Sequence, residues 1–214
     1  MRSMARYAFA LILLLVLVGC GGRCGKPENF ALRSTALAYF GPFLDNSYWV
    51  YQCVEDTSVL DTITLHGRLH RIVELGSDSR CKPDYSEELS YLLIGGMESD
   101  TIRVWLSARR SDSFYMNGSF LGDQLYLYGD IEGDTDWFYV SDYWNDELVN
   151  HGSLAIGGIT YEGVVQIKKP WGNPFPEQVP SFWLARGVGM IQFQLYDETL
   201  GEQRTYQLKE YLIQ

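Results

Sequence analysis

Ile102, Val104 and Leu106 fall on one face of residues 101–106, with Arg103 and Trp105 on the other. This is the period-two alternation of a half-buried strand. The pattern recurs along the chain. Ile63 and Leu65 share a face of 61–65, Leu125 and Leu127 oppose Tyr126 and Tyr128 within 124–131, and Ile191, Phe193 and Leu195 line one face of 190–196. Further strands are expected over 47–53, 68–75, 86–94, 113–120, 136–141, 153–156, 160–168 and 204–208. Turn residues separate them: Gly95-Gly96, Leu121-Gly122-Asp123, Gly157-Gly158 and Thr199-Leu200-Gly201-Glu202. Such residues reverse a strand because they tolerate the backbone angles a turn requires. Only 87–93 and 143–149 read as short helix candidates. Strands at this spacing predict an all-β fold, an antiparallel meander. With one apolar face to cover, it curls into a half-barrel or incomplete barrel.

The N-terminus departs from this pattern. Arg2 and Arg6 precede an uncharged apolar run over 7–18, too short to span a bilayer and of the right length for a secretory signal core. It ends in Leu17-Val18-Gly19-Cys20. These four residues match the lipobox, and the chain resembles bacterial lipoproteins. The resemblance implies a signal peptide over 1–19, cleavage before Cys20, and two or three acyl chains on Cys20 that anchor the protein in a membrane. Gly21 in place of aspartate favours the outer membrane of the cell envelope. Residues 20–36 lack periodicity and contain several breakers, which reads as a lipidated tether; 37–214 reads as a single β domain.

Composition narrows the function. The net charge of −10 becomes −12 once Met1 to Gly19 are removed, which argues against nucleic acid as a partner. Aromatics make up 14% of the chain, and its 15 Tyr and 6 Trp support strands. With Cys20 lipidated, Cys24, Cys53 and Cys81 remain. Three strands between Cys53 and Cys81 would bring both to one end of the sheet, so a Cys53–Cys81 disulfide is expected. It would close a loop of about 28 residues and contribute about 3–4 kcal/mol. Cys24 is then free in the tether or linked to another molecule.

Candidate chemistry is sparse. His66, His70 and Glu74 are spaced four apart, which gathers metal ligands on a helix but spans about 13 Å per step on a strand. The strand reading is preferred, with the histidines exposed. Asp130, Glu132, Asp134 and Asp136 alternate through a turn, but Thr135 and Ser141 break the calcium-loop order, so an acidic hairpin tip is expected. His151-Gly152-Ser153 has no nucleophile elbow and no third partner. Paired carboxylates for glycoside cleavage are left open, since spacing in the chain says nothing about separation in space. No enzyme activity, cofactor or metal is expected.

Residues 168–183 hold four of the seven prolines together with Trp171, Phe175, Phe182 and Trp183. One reading is a lid or contact loop at a cavity mouth; the other is a crossover whose aromatics cap the core. Trp183-Leu184-Ala185-Arg186-Gly187-Val188-Gly189-Met190 resembles a stretch near the C-terminus of uncharacterised Gram-negative lipoproteins. Those proteins also carry an aromatic-Pro segment followed by a Trp-x-Tyr strand, as 39–51 does. Related half-barrel lipoprotein carriers hold acyl chains, but no functional residue of theirs maps onto this chain. The expected function is a non-catalytic, lipid-anchored envelope lipoprotein whose β domain binds an apolar ligand such as a lipid. The alternative is a structural or interaction lipoprotein that binds an envelope protein or glycan through exposed aromatics.

Overall fold

The computed structural model describes residues 26–32, 34–76, 83–95, 101–108, 113–117, 125–129, 138–140, 147–168, 180–197 and 200–214. A two-residue strand β1 (Asn29–Phe30) leads into a helix α1 (Ser34–Phe40). Strands β2 (Tyr48–Cys53), β3 (Leu60–Leu75), β4 (Asp84–Gly95) and β5 (Thr101–Ser107) follow. Then come β6 (Ser113–Asn117), β7 (Leu125–Gly129) and β8 (Phe138–Val140). The chain finishes with β9 (Glu147–Ile156), β10 (Ile159–Lys168), β11 (Ser181–Ala185), β12 (Gly189–Asp197) and β13 (Glu202–Leu212).

The strands form one sheet in the order β8-β7-β6-β5-β4-β3-β2-β13-β12-β11-β10-β9, with β1 on β4. The two meanders join where β13 pairs antiparallel with β2, Tyr206 opposite Cys53 and Leu212 opposite Tyr48. Both outer strands of the path, β8 and β9, therefore come from the middle of the sequence. Among the described residues no pairing links them, so the sheet is not closed into a barrel. The expected all-β meander with an incomplete barrel is what the chain adopts.

The chain divides into two compact units, Met1–Asn29 with Glu74–Tyr85 and Phe30–Val73 with Ser86–Gln214. The larger has one contiguous apolar core. Alternation in β2 buries Trp49, Tyr51 and Cys53; β3 adds Ile63 and Leu65, β4 Leu89, Tyr91 and Leu93, and β5 Ile102, Val104 and Leu106. Every residue of β11 is buried. Phe193 of β12 stacks on Tyr206 of β13 at 4.8 Å and meets Tyr51 edge-on at 5.1 Å.

Several expectations are corrected. The tether expected over 20–36 overlaps folded chain, because Leu32 and Ala36 are core residues and Ser34–Phe40 is helical. Ala36, Tyr39 and Phe40 are buried at i, i+3 and i+4, one helix face against the sheet. The helix stops at Gly41, whose N–H closes onto Leu37 O at 2.7 Å, and Pro42 cannot extend it. The helix candidate at 87–93 is part of β4, since Leu89, Tyr91 and Leu93 are buried with a period of two. Of 143–149, the described end 147–149 lies in β9. The two strands expected over 61–65 and 68–75 are one strand, β3. Gly67 takes φ +64° with open space around it, so the backbone turns locally without ending the strand.

Candidate functional site

The interior was expected to hold any ligand. Phe40 at the end of α1 and Phe43 just after it reach toward Trp49, Tyr51, Ile63, Tyr91, Leu93, Gly189 and Met190. Together they enclose a cavity of about 20 Å³, room for about one water. Phe43 packs edge-on against Trp49 at 5.1 Å and against Tyr91 at 6.5 Å. The polar atoms of two wall residues face backbone. Trp49 Nε1 donates to Val188 O at 2.6 Å, and Tyr51 Oη donates to Met190 O at 2.8 Å. Tyr39 Oη donates to Gly163 O at 2.7 Å, which ties α1 to β10.

The electrostatics suit packing. Burial pushes the Tyr51 phenol well above its ordinary value, with the nearby Asp61 and Tyr161 adding to the effect. Burial also raises Tyr91, while the Arg68 guanidinium pulls the other way. Both phenols are therefore neutral at neutral pH. No proton-transfer pair occurs among the residues that line the cavity.

A second feature lies outside the core. Beyond Gly67, β3 is largely exposed on both faces, and Leu69 and Ile72 are 47% and 74% exposed. Charged and polar groups lie between them. His70 Nε2 stands 2.5 Å from Glu87 Oε1, and Arg71 Nη2 stands 3.0 Å from Glu88 Oε2. Arg68 donates its backbone N–H to Asp45 Oδ1 at 2.9 Å and its Nη2 to Gly41 O at 3.4 Å, while its buried Nε has no partner.

Among the described residues, those singled out in the sequence do not converge. Cys20, Cys24, Cys81, Trp171 and Phe175 lie outside the described residues, as do Asp130, Glu132, Asp134 and Asp136. Phe182 and Trp183 belong to β11, not to a contact loop, and are buried at 1% and 8% exposure. They pair with Phe193 and Gln192 of β12, so the ladder and the core hold them. Cys53 is a fully buried free thiol whose Sγ lies 3.4 Å from Glu55 Oε2. The expected Cys53–Cys81 disulfide presumes three strands between the two cysteines, whereas β3 alone occupies residues 60–75. His66 and His70 are exposed on β3, and His151 pairs with Gln166 of β10 at 3.0 Å. The exposed stretch of β3 went unread because apolar positions in a strand are expected to face a core, and only the tertiary structure shows that this one outruns it.

No family model matches the chain, and neither does a curated protein or a solved structure.

Proposed function

We propose that this protein is a non-catalytic, lipid-anchored module of the cell envelope that works through its surface, because aromatic side chains fill the described space under α1. The supporting observation is the size of the cavity. Small-molecule sites enclose about 300–1,000 Å³, whereas the aromatic-walled space under α1 measures about 20 Å³. The apolar-ligand reading needs an inner face with more area than its side chains cover, and the described space under α1 offers room for one water. The interaction reading needs exposed apolar side chains instead, and β3 presents Leu69 on one face and Ile72 on the other. The anchor rests on the lipobox at Leu17-Val18-Gly19-Cys20.

The test is mass measurement on protein extracted from envelopes in mild detergent, native and then denatured, with organic extraction of what is released. The expected result is two or three acyl chains that stay with the denatured polypeptide and no further lipid released. A near-stoichiometric lipid that leaves on denaturation overturns the surface reading in favour of a carrier. A polypeptide without acyl mass overturns the anchor.

A further inference from the structure

We infer that the exposed stretch of β3 is a membrane contact, in which Leu69 and Ile72 rest in the surface of the bilayer that holds the acyl chains. The inference rests on the anchor of the proposed function and names the partner of the surface on which that function relies.

The first observation is where the anchored end of the chain joins the fold. Among the described residues Leu32 is the first of the core. Its N–H donates to Glu87 Oε2 at 2.7 Å, and the other oxygen of that carboxylate, Oε1, stands 2.5 Å from His70 Nε2. His70 lies between Leu69 and Ile72 on β3. One carboxylate therefore joins the entry of the chain into the core to the exposed stretch. Leu32 is twelve positions after Cys20, a length that spans at most about 43 Å. The anchor holds the entry within that distance of the bilayer, and the exposed stretch of β3 is held with it.

The second observation is how the apolar side chains are set. Leu69 and Ile72 are both exposed, and their odd spacing places them on opposite faces of the strand. A flat protein partner laid on one face would cover one of them and leave the other in water. A bilayer surface is fluid and closes around both. Leaving water favours each side chain in proportion to the apolar area covered.

Charge and backbone set the depth. Arg71, between the two, is held by Glu88, whose Oε2 accepts from Nε at 3.2 Å and from Nη2 at 3.0 Å. Glu87 is held by His70 and by Leu32 N. Both carboxylates beside the contact thus keep partners when water is thinned around them. The chain as a whole, at a net charge of −10, is repelled by anionic headgroups, so the attraction is apolar. Among the described residues the register of β2 with β3 runs only to Thr64. The backbone edge of β3 past it keeps its water in a shallow position and would lose it in the hydrocarbon. The depth expected is that of interfacial segments, about 5–10 Å into the boundary between headgroups and acyl chains.

The test uses the full acylated chain in neutral phosphatidylcholine vesicles, with a photoreactive diazirine residue in place of Leu69, Ile72 or Leu60. Leu60 is the control: it is 54% exposed and lies twelve residues from Ile72 on the same strand, about 40 Å away. Mass measurement first establishes the acyl chains on each protein. Irradiation should then put lipid adducts at 69 and 72 but not at 60, and these should persist in about 1 M salt, which screens charge beyond about 3 Å. Ile72→Asp should cut the adduct at 69 about tenfold, and Leu69→Asp the adduct at 72, because each side chain contributes about that factor to the contact. Equal lipid adducts at all three positions, or adducts that the Asp variants leave unchanged, overturn the inference while the anchor stands. Adducts to a second copy of the chain in place of lipid overturn it in favour of self-association. Protein without acyl mass overturns the anchor and the inference together.

Discussion

Trp49 Nε1 donates to the carbonyl of Val188 at 2.6 Å, so the Trp-x-Tyr strand holds the Gly187-Val188-Gly189 turn. Two residues along, Tyr51 makes the equivalent bond to Met190 O at 2.8 Å. Both bonds pass over β13, which lies between β2 and β12 in the sheet. Two sequence stretches about 139 residues apart are thus halves of one lock, and the lock fixes where α1 and Phe43 pack.

Removing the indole donor tests it. Trp49→Phe leaves Val188 O in a part-buried position without its donor, and should destabilise the protein by about 1–3 kcal/mol. Tyr51→Phe should cost a similar amount. Urea midpoints for each single variant and the double variant check this. A double-variant cost well below the sum of the singles would show that the two bonds act together.

The glycines of the turn should differ in what they tolerate. Gly187 takes φ +72° with nothing within 4 Å, so Gly187→Ala should cost only the left-handed backbone penalty, about 1–2 kcal/mol. Gly189 takes φ +87°, and an added Cβ would stand 3.1 Å from Phe43 Cζ. Gly189→Ala should therefore cost that penalty plus an overpacking cost of about 1–3 kcal/mol. Equal losses in the two variants, measured by chemical denaturation, would contradict the packing assigned to Phe43.

Alkaline stability should be governed by buried phenols. Burial, followed by the neighbouring Cys53, pushes Tyr206 up to about 12, while Arg204 pulls it down. An unfolded tyrosine titrates near about 10. The native state therefore holds the proton between those values while the unfolded state has lost it. Tyr206 stabilises fully below pH about 10, and this contribution is lost as pH rises toward about 12. Thermal unfolding followed across pH 9 to 12, roughly the span of the two values, should show Tm falling more steeply in wild type than in Tyr206→Phe.

The exposed part of β3 should matter little to folding. Ile72 is 74% exposed, so Ile72→Asp should change stability by less than about 0.5 kcal/mol. Leu69→Asp should behave alike. A large loss of Tm in either variant would mean that the fold buries these side chains and would remove them from the surface proposed for contact.

How far the sequence carries can be seen residue by residue. Alternation at Ile102, Val104 and Leu106, or at Ile191 and Phe193, was legible because a strand beside a core writes its burial directly into a period of two. The hairpin turns at Gly157-Gly158 and around Gly201 were legible for the same local reason. Helix α1 was missed although Ala36, Tyr39 and Phe40 carry its spacing, because seven residues make a weak pattern. Residues 61–65 and 68–75 read as two strands; a glycine between them is compatible with a bulge or an end, and only the neighbouring strands decide which.

The sequence by itself determined the all-β class, the meander and most of the inward faces, since each depends on neighbours within one strand or one turn. Tertiary structure alone decided that β2 pairs with β13, that Phe182 and Trp183 are core, that β3 outruns the core, and that Leu32 meets Glu87. Those outcomes depend on which distant segments come together. Contacts of that kind leave no periodicity in the chain, because each is selected by the packing of the whole sheet.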